Sequence, residues 1–501
     1  MILKDTFTPP ASAEEFHLLG LKALDAEKYE SALEYLKKTL AIDLKNGVAW
    51  NNHGNALSAL NQNDLAVESY LKAIAYQPSP PYLVFYNLAS AYYKLGQWSL
   101  AMAQFDVAVQ CEPERYEAYF GRGLVWEEMS EPSLAIQSYA DALERNPTFA
   151  QAFNNMGIAF QNLGVESAAL ECFESALALE PESGDFRTNK GLLLLQHGHW
   201  AQGWQYFESR WATQALQKVA RHFDCPLWLG KEALNGKTLL VHCEQGMGDT
   251  IQFCRFVPLL LALGAKVTLA VQAPLQTLME ANFPAVRVLP GIPTQEKFDF
   301  HCPIMSLGLA FAADSSNIPN SVGYLTLSAA AVAKWAAFSE EGVRPCIGLV
   351  WSGSATHTND ANRSVALSEL LKVLPSGPRY VSLQKEYREG DLTFARGAGL
   401  EDVSAQLNDF SDTAALCQRC DLIVSVDTSV AHLAGALGVP TLLLLPFNAD
   451  WRWLTGRNDS PWYASLQLLR QATRADWAGA IAQLHSEISK FDEKWRKLAS
   501  N

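Results

Sequence analysis

Basic residues are scarce in this chain. Its 501 residues include 39 Lys and Arg against 53 Asp and Glu, a formal charge of −14, and charged residues make up only 18%. Gripping a phosphate backbone takes clustered Lys and Arg, so nucleic-acid binding is excluded as the main activity, while a single nucleotide pocket is not. Long apolar runs are missing too. The longest, Phe256 to Val271, is broken by Gly264 and Lys266 and falls short of the ~20 residues that a membrane span needs. The opening MILKDTFTPP has no basic stretch followed by an apolar run, so no secretory leader is expected. Nine cysteines at irregular spacing predict reduced thiols and a cytoplasmic location rather than a disulfide framework. Cys417 and Cys420 form a lone CxxC in an apolar, helix-like segment, where two core thiols are expected rather than a metal site. No other group of His, Cys and Asp has metal-ligand spacing.

Apolar residues are plentiful, at 49%, and the length fits about three domains at roughly 100–200 residues each. The first two hundred residues repeat. Small residues recur at Gly20, Gly54, Ala89, Gly123, Gly157 and Gly191, in steps of 34, 35, 34, 34 and 34. A second small residue follows at Ala66, Ala101, Ala135 and Ala169, then an aromatic at Tyr70, Phe105, Tyr139 and Phe173, and a proline at Pro78, Pro113, Pro147 and Pro181. Small residues let two antiparallel helices approach, aromatics fill the gap toward the next pair, and proline stops the second helix. This is the tetratricopeptide pattern in its 34-residue form. Five repeats are expected, the first carrying Leu36 and Leu44 in place of the aromatic and proline, with a divergent sixth from about Arg187. The second helix of that sixth unit carries Trp200, Trp204, Phe207 and Trp211 on one face. A terminal repeat facing water would be polar, so this face is expected to be buried against the next domain.

Asn52, Asn87, Asn155 and Asn189 each lie two residues before the small marker. An asparagine amide offers both a donor and an acceptor, so a row of them can hold a peptide backbone without reading its side chains. Hydrogen bonding inside the repeats is the other reading of the same residues.

After the tryptophan-rich helix the period changes. Short apolar runs at Thr238–His242 and Lys266–Val271, then at Ile347–Trp351, Tyr380–Leu383, Leu422–Val426 and Thr441–Leu445, alternate with helical segments such as Ile251–Leu263. Such alternation predicts parallel sheets in two Rossmann-like lobes, with ligands in the crevice at the strand C-termini. The weakly patterned stretch from about Ile318 to Gly342 would join them. The expected domains are residues 1–215 (repeats), 216–335 (first lobe) and 336–501 (second lobe).

Four features sit at strand ends. Glu244-Gln245-Gly246-Met247-Gly248-Asp249 opens a helix, where Asp249 can cap the helix or face the crevice as a general base. Asp427-Thr428-Ser429-Val430-Ala431-His432 opens another, and a helix N-terminus with free N–H groups suits a phosphate, an ordinary polar cap being the alternative. The turn Trp351-Ser352-Gly353-Ser354 is followed by a polar stretch, His357–Ser364. In Ser382-Leu383-Gln384-Lys385, the lysine can neutralise a diphosphate. The aromatics around Asp450 and Arg452, from Pro446 to Trp453 and on to Trp462 and Tyr463, suit either a sugar platform or a lobe interface.

Together Gly248-Asp249, Gly353-Ser354 and Asp427-Thr428-Ser429-x-x-His432 followed by Gly438-Val439-Pro440 resemble glycosyltransferase family 9, the heptosyltransferase group. The likeness covers about Arg221 to Arg470. It implies the GT-B fold, with the acceptor in the first lobe and the nucleotide sugar in the second. The whole chain is similar to bacterial proteins that fuse tetratricopeptide repeats to such a domain, some of which glycosylate flagellin with nonulosonic acids. The resemblance implies Asp249 as catalytic base and Gly248, Gly353, Ser354, Gln384, Lys385, Asp427, Thr428, Ser429 and His432 as nucleotide-sugar contacts. It further implies no cofactor or metal, a CMP-sugar donor, and a protein acceptor such as flagellin recruited through Asn52, Asn87, Asn155 and Asn189. Lipopolysaccharide heptosyltransferases usually keep a lysine after the Gly-Ser turn, where this chain has Thr356, His357 and Thr358. That departure speaks against ADP-heptose and a lipid acceptor. A non-catalytic adaptor with a degenerate GT-B part, or nucleotide-dependent chemistry such as epimerisation, are the other classes that the sequence leaves open.

Overall fold

The computed structural model describes residues 12–218, 221–319, 323–338, 344–356 and 359–499. His357 and Thr358 lie outside the described residues. The chain divides into two compact units, residues 1–182 and 183–501.

The first unit is a helical solenoid. Its helices pair as Ala13–Asp25 with Tyr29–Ile42, Gly47–Ala59 with Asn63–Tyr76, Tyr82–Lys94 with Trp98–Cys111, Tyr116–Glu128 with Pro132–Arg145, and Ala150–Asn162 with Glu166–Leu179. The marker glycines Gly54, Gly123 and Gly157 each meet the aromatic of their own repeat, and Gly20 meets Leu36 in the same place. A Cβ on Gly54 would lie 2.5 Å from the Tyr70 ring, and one on Gly157 would lie 2.8 Å from the Phe173 ring. The rings themselves are buried, Tyr70 at 2% and Phe173 at 0% exposure. The tight turn inside each pair needs one left-handed residue. Gly96 and Gly164 supply it without strain, while Glu27, Asn61 and Ser130 adopt it with side chains.

The second unit begins with the divergent sixth pair, Gly184–Gln196 and Trp200–Phe207. The unit boundary therefore falls at Glu182, ahead of the sixth repeat, and not at residue 215. Trp200, Trp204 and Phe207 are buried in the core of the α/β region. The Trp204 indole donates to the Ala313 carbonyl at 2.7 Å, stacks edge-on against Trp451 at 5.3 Å, and rests where Gly308 lacks a Cβ.

Two parallel sheets follow. In the first, β1 (Thr238–His242), β2 (Lys266–Ala270), β3 (Arg287–Leu289) and β4 (Phe300–Pro303) lie in the order β3-β2-β1-β4. In the second, β5 (Cys346–Val350), β6 (Arg379–Ser382), β7 (Glu401–Asp402), β8 (Leu422–Val426), β9 (Thr441–Leu445) and β10 (Leu466–Arg470) lie in the order β10-β9-β8-β5-β6-β7. The latter is the doubly wound order of a dinucleotide fold, with its topological switch between β5 and β8. In the first sheet the switch falls between β1 and β4. The expected helix over Ile251–Leu263 is broken in three: Met247–Phe253, a single 3-10 turn at Cys254–Phe256, and Val257–Ala262 with Pro258 in its first turn. The joining stretch holds a short helix, Ala329–Lys334. Among the described residues, no helix is long and apolar enough to cross a membrane.

Candidate active site between two helix N-termini

After β1 the chain turns Glu244 inward. Its carboxylate takes two hydrogen bonds from buried Arg210, at 2.6 and 3.0 Å, and one from the Met305 backbone at 2.9 Å. Gly246 then starts the Met247–Phe253 helix, and its N–H donates to Asp249 Oδ2 at 2.8 Å. So Asp249 does cap its helix. Its other oxygen forms an ion pair with Arg452 of the second lobe. Burial pushes the Asp249 carboxyl up from the usual range, with Arg452 opposing the shift. Arg452 also donates to Gln252 at 2.7 Å and to Asp450 at 2.8 Å. The sequence points to Arg452 only as part of an aromatic-rich segment with Asp450; its pairing with Asp249 is made by the fold, which brings residues 249 and 452 together.

Opposite stands the loop after β8. Thr428 precedes the Ser429–Leu437 helix without a side-chain cap bond, and Gly438 ends that helix in the left-handed region. The two helix starts touch through a glycine: a Cβ on Gly248 would lie 2.8 Å from His432 Cδ2 and 3.5 Å from Ser429 Cα. His432 is 5% exposed, sits 2.8 Å from the Tyr463 hydroxyl through Nδ1, and stacks on Trp453 at 5.2 Å. Burial and nearby Arg452, Arg255 and Arg363 hold its pKa well below the usual value. His432 is thus neutral near pH 7 and can meet a phosphate only as a hydrogen-bond donor. Asp427 is raised to about 6 by burial and by the charge of Asp450.

Gln384 braces the Gly353-Ser354 turn, its amide donating to the Ser352 carbonyl at 3.0 Å and accepting from the Ser352 N–H at 3.4 Å. Ser354 and Thr356 hydroxyls lie 2.9 Å apart. Lys385 is drawn elsewhere: its ammonium donates to the carbonyls of Ser404 and Leu407, at 3.0 and 2.6 Å. Two of its three donors thereby hold a loop of its own lobe.

The aromatics around Arg452 are packing. Trp451, Trp453, Trp462 and Tyr463 are all at most 4% exposed. Trp462 meets Trp200 at 5.7 Å and Phe253 at 5.6 Å, and its carbonyl accepts from Arg255 of the first lobe at 2.7 Å. The lobe-interface reading of this segment is therefore the one the structure realises. Cys417 and Cys420 are likewise buried, with thiol pKa values raised by burial or by the neighbouring Cys346.

A cavity of about 470 Å³ opens at the C-terminal ends of β1 and β4. Its walls include Trp211, Phe223, His242 and His301, with Glu208, Arg221 and Gln245 also lining it. Phe223 stacks on His301 at 4.1 Å, and the two histidines lie 3.3 Å apart, with His242 lowered to about 3 by burial. Sequence offered no signal for it: β1–β4 pairing unites histidines 59 residues apart.

In the repeats, the asparagine amides have partners. Asn52 contacts His17 Nε2 at 3.0 Å, Asn87 donates to Asn51 and Asn55 at 3.3 and 3.0 Å, and Asn155 accepts from Gln151 at 2.8 Å. Asn189 belongs to the second unit.

Comparison with known proteins accords with this geometry. Tetratricopeptide-repeat models match residues 54–96 and 86–150, and the model for glycosyltransferase family 9 (heptosyltransferase) matches residues 402–446, a span that includes Asp427–His432. The chain carries tetratricopeptide repeats fused to a glycosyltransferase family 9-like domain, a combination that supports a glycosyltransferase-type function. It is similar to Protein FlbA of Caulobacter vibrioides, at 29% identity over 327 residues, 59% of this chain. The chain spans about half the length of that curated relative, 54%. Solved structures that resemble it include MamA (24% identity, TM-score 0.31, 33% of this chain and 95% of that one). Another is YrrB, a tetratricopeptide protein with an unusual peptide-binding site (23%, TM-score 0.32, 35% and 90%).

Proposed function

We propose that the chain transfers a sugar from a nucleotide-sugar donor to Ser or Thr hydroxyls of a protein acceptor held by the repeats. Flagellin is the proposed acceptor, a CMP-nonulosonic acid the proposed donor, and the cytoplasm the proposed location. The observation that carries this reading is the close approach of Gly248, next to the half-buried carboxylate of Asp249, to Ser429 and His432 of the Ser429–Leu437 helix, at the ends of two parallel sheets.

The chemistry needs few groups. Backbone N–H groups at Thr428–Ser429 and the neutral His432 imidazole would face the donor phosphate, where fixed dipoles stabilise the departing nucleotide. The acceptor oxygen bonds to the anomeric carbon while the bond from that carbon to the phosphate oxygen breaks, its electrons leaving with the nucleotide. Asp249 takes the hydroxyl proton. Because Arg452 holds Asp249, that ion pair must loosen first, by the kind of lobe movement common in such enzymes. The aromatic-walled cavity beside Gln245 would receive the acceptor segment. No metal takes part in this scheme.

A non-catalytic adaptor is favoured by one feature, the engagement of both Asp249 oxygens. Deleting residues 1–182 separates the recognition role from the rest, because the cut falls at the unit boundary. Nucleotide binding should survive the deletion while modification of the protein acceptor is lost. Full-rate modification by the shortened chain would remove the repeats from acceptor recognition.

A further inference from the structure

Arg363 is poorly satisfied for a guanidinium so enclosed. Its side chain is 15% exposed, and its one ion-pair contact among the described residues, to Asp360, is long at 3.8 Å. Nε is buried with no hydrogen-bond partner there. Asp360 is committed elsewhere, in an ion pair with Arg388 and a 2.8 Å bond from the Ser364 hydroxyl. A guanidinium nitrogen buried without a hydrogen bond is costly, and native structures rarely keep one without a reason.

The position supplies a reason. The guanidinium lies directly over Gly353, where a Cβ would collide with Nη2 and lie 2.8 Å from Cζ and from Nε. Gly353 follows β5, and Asp427 follows β8, so this is the mouth of the switch point in the second sheet. Arg363 is close enough to Asp427 and His432 to act electrostatically on both. The groups facing it are therefore the Asp360 and Asp427 carboxylates, the neutral His432 and the start of the Ser429–Leu437 helix. Asp427, raised to about 6, is easily neutralised when an anion arrives.

We propose that Arg363 holds a phosphate of the nucleotide sugar in this crevice, opposite the N-terminus of the Ser429–Leu437 helix. This rests on the nucleotide-sugar reading above. A planar guanidinium presents paired donors that match phosphate oxygens, which a lysine cannot reproduce. It also places the cation where Lys385, tied to Ser404 and Leu407, does not stand.

The test is calorimetry on the full chain with CMP, UDP, GDP, ADP and inorganic pyrophosphate, for wild type, Arg363→Gln and Arg363→Lys. The nucleotide that binds wild type should lose about ten- to hundredfold in affinity with Arg363→Gln, since a charged hydrogen bond is removed. Arg363→Lys should restore part of it. Unchanged affinity alongside a lowered Tm would make Arg363 a packing residue and overturn the proposal. Should the variants fail to fold, phenylglyoxal labelling of the wild type reads the same point: bound nucleotide or pyrophosphate should protect the Arg363 peptide, and equal labelling would overturn it. Pyrophosphate binding that needs Arg363, with no nucleotide bound, would keep the anion site and remove the nucleotide-sugar reading. No binding by any of the five to wild type would overturn both.

Discussion

Asp427 carries the clearest pH signature in the second lobe. Burial and the charge of Asp450 raise its pKa to about 6, so its ionised form is disfavoured in the folded chain. The stabilising contribution of the protonated form is complete below the unfolded pKa, near 4, and is lost as pH rises through about 6. Asp427→Asn, which stays neutral, should therefore melt a few degrees above wild type at pH 7.5 and together with it at pH 4. Equal melting temperatures at both pH values, by calorimetric scans, would mean that the Asp427 carboxylate is not penalised. The residue itself was legible in the sequence, since a DTS run after a strand announces a helix start. Its partners were not. Arg363 stands in a polar stretch where nothing local distinguishes it from a surface arginine, and the aromatics around Arg452 marked that segment without revealing its pairing with Asp249. Lys385 shows the converse, a lysine at a strand end whose donors go to backbone carbonyls.

Helices and strands were more readable, because periodicity is local. The 34-residue register located every helix pair from Ala13 to Phe207, and six second-half strands fall within a residue of their expected bounds. The strands β3, β4, β7 and β10 escaped because they are short or lie at an edge, with too few apolar residues to alternate. The aromatic face of the Trp200–Phe207 helix was visible for the opposite reason, since large rings on one side have no place in water; the expectation failed only at Trp211, which lies in the 3-10 turn Glu208–Ala212 past the helix end and is half-buried in the cavity wall. Trp204 is 1% exposed and is bonded through its indole nitrogen. Replacing it with Ala should remove ~3–5 kcal/mol from the second unit by leaving a cavity among Gly308, Phe253 and Trp451. Denaturant melts would show it, and a loss below ~1 kcal/mol would mean that the site collapses freely.

The chain combines a solenoid with a unit in which a last helical pair is built into the core of two sheets. That arrangement makes the sixth repeat part of the α/β unit, a boundary the sequence placed later because the repeat period continues through it. Within this body the lobes are joined by polar bonds as well as packing: Arg452 to Asp249 and Gln252, and Arg255 to the Trp462 carbonyl. Both arginines are deeply buried. Under the proposed reaction, these contacts would have to yield in part before a donor and an acceptor could share Asp249. Transfer of a sugar to protein is what this site is proposed to do. Its most direct measurement is the intact mass of flagellin after incubation with the full chain and a CMP-nonulosonic acid, alongside Asp249→Asn. Wild type should add whole increments of one sugar mass, and Asp249→Asn, with the donor still bound, should slow that by ~10²–10⁴. Increments that accumulate equally with Asp249→Asn, or no increment with CMP-, UDP-, GDP- or ADP-sugars, would contradict the account.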